Sequence, residues 1–91
     1  MWFYQSPTTL SRSFADEVLL AAADREEIDR LSGSARTAWD LLRKPQTLDS
    51  LVMNLAEVYD TEAATIDADV EALVNDLVSR GWVEAVSNGD D

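Results

Sequence analysis

TIDADVEALVNDLVSRGWV, the stretch from Thr65 to Val83, has the pattern of one amphipathic helix with a defined end. Its apolar residues recur at the i, i+3, i+4, i+7 spacing of a helix that buries one face. These residues are Ile66, Val70, Leu73, Val74, Leu77 and Val78. Arg80 places a cation in the last turn, and Gly81 follows where a left-handed cap is readily adopted. We therefore predict a helix that ends at Arg80-Gly81 and an extended segment that begins at Trp82.

A line of charged residues runs along one edge of this apolar arc, beside Leu73. Because a helix turns by about 100° per residue, residues three and four apart lie side by side on its surface. The charged residues at this edge are Asp69, Asp76 and Arg80. Two interpretations stay open: Asp76 and Arg80 form an ordinary i, i+4 surface pair, or the edge is the rim of a groove.

Composition excludes most kinds of chemistry. The chain has 91 residues, the size of one small domain, with no cysteine and no histidine. It therefore lacks a disulfide framework, thiolate metal ligands, a cysteine nucleophile and the commonest general base. No acidic run has the spacing of a calcium loop, and the glycines stand alone instead of forming a phosphate-binding loop. We predict a protein with no catalytic residues, no metal and no cofactor.

The net charge of −11 disfavours binding to nucleic acid or to an anionic membrane. Residues 1–45 carry six basic and seven acidic side chains, whereas residues 46–91 carry one basic and eleven acidic ones. Solubility alone explains this excess, but so does steering of a basic partner toward the C-terminal half. No apolar run is long enough for a bilayer, and MWFYQSPTTL lacks the features of a signal peptide, which favours a cytoplasmic location.

Three short strands are predicted before the first helix, at Thr8–Phe14, Glu17–Ala22 and Glu27–Leu31. Charged and apolar residues alternate in the third strand, as in a strand with one buried face. Strands this close in sequence favour an antiparallel meander. Residues 1–7, with aromatic residues at positions 2–4, are assigned as an N-terminal tail. This tail either folds back on the domain or is partly an expression remnant.

Three helices follow the strands. The first is predicted at Ala35–Arg43 with Ser34 as its N-cap, and the second begins after a Thr47 cap. The inward-facing residues expected in these two helices are Ala38, Trp39, Leu42, Leu48, Leu51, Val52, Leu55, Ala56 and Tyr59. A last strand at Trp82–Val86 completes a domain of residues 8–86, before an acidic tail at 87–91. The predicted fold is α+β and winged helix-turn-helix-like, with a three-stranded antiparallel sheet followed by three helices.

An exposed sheet edge is the binding surface that this order of elements suggests. Glu27–Leu31 is the last strand before the helices, and an edge strand leaves backbone N–H and C=O groups unpaired. An extended peptide could pair with it while the third helix forms the opposite wall. The apolar pockets would then lie around Ile28, Val70, Leu73 and Leu77. Asp69 and Asp76 would hold basic side chains, and Arg25 and Arg30 would hold carboxylates. The alternative is that all these residues are core and solvated surface.

The order of several short motifs resembles a known family. LSGSA at residues 31–35 leads into WDLL at 39–42, then PQTL at 45–48, LAEVYD at 55–60 and DVEALVNDLVSRGWVE at 69–84. Over roughly residues 8–84 the chain resembles the PqqD family, the small peptide chaperones of pyrroloquinoline quinone biosynthesis. It resembles most closely their relatives in lasso-peptide clusters, the stand-alone RiPP recognition elements. Ser32 and Gly33 depart from the usual PqqD residues and favour this lasso-type branch.

The resemblance implies a non-catalytic domain that binds the leader segment of a ribosomally made precursor peptide. The leader is added as a strand between the third strand and the third helix. The domain then presents the precursor to a separate leader peptidase, and an ATP-dependent cyclase follows. The peptide-binding residues carried over to this chain are Glu27, Ile28, Asp29, Arg30 and Leu31 on the strand, and Asp69, Val70, Leu73, Asp76, Leu77 and Arg80 on the helix.

Three alternatives remain. A PqqD-type chaperone for a radical-SAM enzyme belongs to the same family. A winged-helix DNA-binding regulator shares the fold, but its recognition helix requires basic residues. Here the third helix has one arginine against four acidic residues between Ile66 and Arg80, which would repel phosphates. A structural or antitoxin-like interaction domain would have no affinity for a leader peptide.

Overall fold

The computed structural model describes residues 1–87 and contains five strands and three helices within them. The elements are β1 Trp2–Gln5, β2 Thr9–Phe14, β3 Glu17–Ala22, β4 Asp29–Leu31, α1 Gly33–Leu41, α2 Leu48–Val58, α3 Ala63–Ser79 and β5 Val83–Val86. Strands β2, β3 and β4 form a three-stranded antiparallel sheet that precedes the three helices, which confirms the predicted α+β fold. Apart from Ser87, the predicted acidic tail at 87–91 lies outside the described residues.

The three-stranded sheet buries one face against the helices. In β3, Val18, Leu20 and Ala22 are buried, whereas the residues between them are only half-buried. This alternation follows from the strand geometry, in which successive side chains point to opposite faces. The β2–β3 turn places Ala15 at a φ of 57°. Strand β4 pairs with β3 on one side and lies at the edge of the sheet.

The N-terminal segment is part of the fold, which corrects the tail predicted for residues 1–7. Strand β1 pairs antiparallel with β5, and Phe3 is buried. The backbone N–H and C=O of Phe3 also bond to Gln46, at 2.8 and 2.9 Å. Of the two possibilities left open by the sequence, the structure has the segment folded back on the domain. The predicted last strand is confirmed as β5, although it begins at Val83 instead of Trp82.

The core lies where the three helices meet the sheet. Its largest fully buried side chains are Trp82, Leu20, Leu42, Leu51, Leu55, Leu77, Val74 and Val83. Thr47 caps α2 as predicted, because its hydroxyl accepts a hydrogen bond from the Ser50 N–H at 3.1 Å. The predicted Ser34 cap is wrong, since α1 begins at Gly33 and Ser32 takes the cap position without a side-chain bond. Tyr59, expected in the core, is exposed.

The end of α3 confirms the prediction made from Arg80 and Gly81. Gly81 adopts a φ of 84°. Its N–H bonds to the Val78 carbonyl at 2.9 Å, and the Trp82 N–H bonds to the Leu77 carbonyl at 3.0 Å. These two bonds form a Schellman motif, which directs the chain back into the core at Trp82. Within residues 1–87, no helix combines the length and the apolar character needed to cross a membrane.

Candidate functional site

A cleft separates β4 from α3, and the two segments run in opposite directions along it. At one end, Asp29 of β4 contacts Arg80 after the end of α3. At the other end, Ser34 and Ala35 of α1 line a cavity together with residues from the first half of α3. β4 is an edge strand with α3 across from it, which is the arrangement that the strand-addition hypothesis requires.

An apolar cavity of about 300 Å³ lies at the α1 end of the cleft. It is lined by Ser34, Ala35, Leu55, Tyr59, Ile66, Asp69, Val70 and Leu73. The hydroxyls of Tyr59 and Thr37 lie 2.7 Å apart, and this hydrogen bond fixes the aromatic wall of the cavity. The volume is at the lower limit of small-molecule sites, which span about 300–1,000 Å³. The cavity therefore suits one or two side chains of a peptide.

The opposite end of the cleft is closed by a cluster of charged residues, which we call the Arg80 brace (Arg80, Asp29 and Asp76). Arg80 Nη1 lies 3.0 Å from Asp29 Oδ1, and Arg80 Nε lies 3.0 Å from Asp76 Oδ2. The hydrogen bond that Arg80 donates to Asp76, followed by the one that it donates to Asp29, raises the pKa of Arg80 above its ordinary value. The charged guanidinium joins α3 to β4 through these two ion pairs.

Asp29 has a second partner in the core. The buried indole N–H of Trp82 donates a hydrogen bond to Asp29 Oδ2. A buried donor without an acceptor is costly, so this carboxylate satisfies a requirement of the core as well as holding Arg80. The position of β4 relative to α3 therefore depends on the Asp29 side chain.

Arg25 holds the β3–β4 loop over the same end of α3. Its guanidinium donates a hydrogen bond to the Arg80 carbonyl and lies 4.5 Å from the centroid of the Trp82 ring, at cation–π distance. A Cβ atom at Gly81 would collide with this guanidinium. The φ angle therefore favours glycine at position 81, and a larger residue there would also displace the Arg25 guanidinium.

The predicted site residues divide into three groups. Asp69 and Leu73 line the cavity, and Asp29, Asp76 and Arg80 form the brace. The half-buried Leu31 packs against the core from β4. All of these residues lie along the cleft.

The other predicted residues lie elsewhere or are largely buried. Val70 contributes to the cavity wall but is mostly core, and Leu77 is fully buried. Ile28 is exposed and lies with Leu10 and Leu19 on the sheet face that is turned away from the helices. Arg30 is opposite Leu19 in the β3–β4 register and therefore also faces outward. Its Nε lies 3.8 Å from Glu17 Oε1.

Two more positions precede β4. Glu27 lines an open depression together with Arg25 and Arg80, beyond the closed end of the cleft. Arg25 is engaged with Trp82 and the Arg80 carbonyl.

Sequence reasoning missed part of the cavity. The sequence pattern predicts Ser34 as a helix cap and Leu55, Tyr59 and Ile66 on the apolar faces of their helices, whereas the structure has all four in the cavity wall. Tyr59 is the one signal of the cavity that the sequence offers. It follows Val58, the last residue of α2, and an aromatic side chain beyond the last helical turn need not point into the core.

The fold and the cleft together define a winged helix-turn-helix-like domain in which an edge strand faces a helix. The family model of coenzyme PQQ synthesis protein D (PqqD) matches residues 17–83, from β3 to the start of β5. The chain therefore belongs to the PqqD family, which confirms the resemblance. No curated protein matches the sequence significantly.

A solved structure has a similar fold. It is TbiB1 in complex with the TbiA(beta) leader peptide, which superposes with a TM-score of 0.81. The match covers 93% of this chain and 99% of that chain, at 19% sequence identity. At this identity the likeness shows that the two proteins share a fold over nearly their whole lengths.

Proposed function

We propose that this protein is a non-catalytic adaptor for the leader segment of a ribosomally made precursor peptide. The leader pairs with the free edge of β4 and lies in the cleft against α3. The adaptor presents the precursor to a separate leader peptidase and then to a cyclase, as in lasso-peptide biosynthesis. Membership of the PqqD family and the fold shared with the leader-bound TbiB1 support this proposal.

The observation that carries the proposal is that a strand with a free edge lies beside an apolar cavity. Among the described residues β4 pairs only with β3, so its other edge is open to an added strand. Backbone hydrogen bonds along this edge would supply affinity, and the cavity beside it would supply specificity. We expect an apolar or aromatic side chain of the leader to enter the cavity, where Asp69 is placed to accept a hydrogen bond if that side chain is tyrosine or tryptophan.

The charges of the site favour a peptide over a nucleic acid. Arg80 is already neutralised by Asp29 and Asp76, and Asp69 adds a further negative charge to the cleft. A winged-helix regulator would require phosphate contacts from α3, whose exposed acids repel phosphates. We expect no salt-sensitive binding to random duplex DNA.

A PqqD-type chaperone that serves a radical-SAM enzyme is the second candidate, and the description of the matched family favours it. The two functions share leader binding and differ in the enzyme that is recruited. A complex of protein, precursor and radical-SAM enzyme would establish this second function, whereas a complex with a leader peptidase would establish the first.

The test is a titration of the protein with the fluorescein-labelled leader of the precursor encoded beside it. We expect saturable anisotropy and, in ¹⁵N-resolved hydrogen exchange, new protection of the amides of Asp29–Leu31. Met53→Ser on the exposed face of α2 is the matched control and should bind normally. Absence of saturable binding, or binding that leaves exchange of the β4 amides unchanged, would refute the proposal.

A further inference from the structure

The outer face of the three-stranded sheet is turned away from the helices and carries uncovered apolar side chains. Because Val18, Leu20 and Ala22 point into the core, the residues between them point outward. The apolar residues of this outer face are Leu10, Phe14, Leu19, Ala21 and Ile28. Leu10, Phe14 and Ile28 are 61%, 70% and 67% exposed. Four of these residues surround a shallow depression of about 380 Å³ together with Ser11 and Arg12, namely Leu10, Leu19, Ala21 and Ile28.

This outer face is positively charged in an acidic protein. In the register of the sheet, Leu19 is flanked by Arg12 on β2 and Arg30 on β4. Glu17 is the single acid on the face and lies 3.8 Å from Arg30. Arg12 makes no salt bridge with any residue that the structure describes. The chain as a whole has a net charge of −11, so the face differs in sign from its surroundings.

We propose that the outer face docks the enzyme that receives the bound peptide, through an apolar surface edged with carboxylates. This inference rests on the proposed adaptor function. Exposed apolar residues supply the contact area, and the two arginines select and orient an acidic partner. Strand β4 belongs to both sites, since Asp29 and Leu31 face the cleft while Arg30 faces outward. An enzyme docked on this face therefore lies directly beside the peptide.

The charges also distinguish this partner from other occupants. In a symmetric contact with a second copy, Arg12 and Arg30 would face the same arginines, and like charges oppose such an interface. An anionic membrane would be repelled by the rest of the chain, whose charge is strongly negative. An apolar protein surface edged with carboxylates complements both the apolar and the basic residues of the outer face.

The test measures binding of the leader peptidase encoded beside the precursor to the leader-loaded protein, by surface plasmon resonance. Leu10→Ser combined with Phe14→Ser should weaken peptidase binding by at least about 10-fold. Arg12→Glu should slow association and reduce its salt dependence. Met53→Ser combined with Val58→Ser removes equally exposed apolar residues from α2 and should leave the affinity unchanged. Leader affinity should be unchanged in all of these variants, since none of the residues lies in the cleft.

Each other outcome counts against the docking site. Equal peptidase affinity for the wild type and the β2 variants would overturn it, as would an equal loss in the α2 control. Failure of the leader-loaded wild type to bind the peptidase would overturn it while the leader-binding function stands. Binding to anionic vesicles, or a dimer abolished by Leu10→Ser combined with Phe14→Ser, would assign the face to a different occupant and overturn the proposal. If the double variant fails to fold by circular dichroism, Arg12→Glu, an exposed change, decides the question alone.

Discussion

Asp29→Ala should destabilise the domain much more than its half-exposed position suggests. The indole N–H of Trp82 is buried and has the Asp29 carboxylate as its acceptor. A buried donor left without an acceptor costs about 1–3 kcal/mol. For a domain of this size, 1 kcal/mol shifts the melting temperature by about 4–8 °C, so we expect a fall of about 4–24 °C. Arg80 also loses a partner, but its guanidinium is exposed to solvent and we assign it no share of this loss.

Two matched variants separate the buried hydrogen bond from the surface charges. Asp29→Asn keeps an oxygen that accepts from Trp82, and should lose less than half of the stability that Asp29→Ala loses. Asp76→Asn removes the other carboxylate on Arg80 but leaves no buried donor, so its effect should stay within about 0.5 kcal/mol. Thermal unfolding followed by circular dichroism measures all three. A melting temperature of Asp29→Ala within about 2 °C of that of Asp76→Asn would refute the reasoning.

Three further changes test the cleft and the end of α3. Leu73→Asp should abolish leader binding while the circular dichroism spectrum is retained, because the half-buried Leu73 lines the cavity; global unfolding would instead assign it to the core. Asp69→Lys should slow association of a basic leader at low salt more than Asp76→Lys does, because Asp76 is already paired with Arg80. Equal association rate constants for the two variants, measured by stopped flow, would contradict charge steering by Asp69. Gly81→Ala should destabilise the domain by about 1–3 kcal/mol in urea titrations, because alanine is strained at a φ of 84° and its Cβ meets Arg25; an unchanged midpoint would contradict this.

The parts of the fold that depend on nearby residues could be predicted from the sequence. The end of α3 follows from Gly81 and the cap of α2 from Thr47, since both are contacts within one turn. The meander also follows, because its strands are adjacent in the chain. Strand β1 could not be predicted, because its partner β5 lies some eighty residues away and neither segment carries a local signal for the other.

The candidate site could be predicted only in part, because it depends on which way each side chain points. The strand and helix that form the cleft were correctly paired, as Asp29 and Arg80 show. Residues 27–31 do not form one contact surface, because the alternation of a strand sends Arg30 to the opposite face from Leu31. The cavity combines residues from three helices, and helical spacing within one segment cannot show which neighbours it will meet.

The charged edge of α3 turns out to combine two different roles. Asp76 and Arg80 form the i, i+4 surface pair that spacing suggested, yet Arg80 also reaches across to Asp29 and closes the cleft. Asp69 lies two turns earlier, in the wall of the cavity, where no cation of the described residues forms a salt bridge with it. The same line of charges therefore holds the cleft together at one end and leaves a free carboxylate at the other. A peptide added to β4 would meet an ion-paired end at the Arg80 brace and an apolar end with the unpaired carboxylate of Asp69, and this asymmetry gives the cleft a physical basis for selecting one register of its ligand.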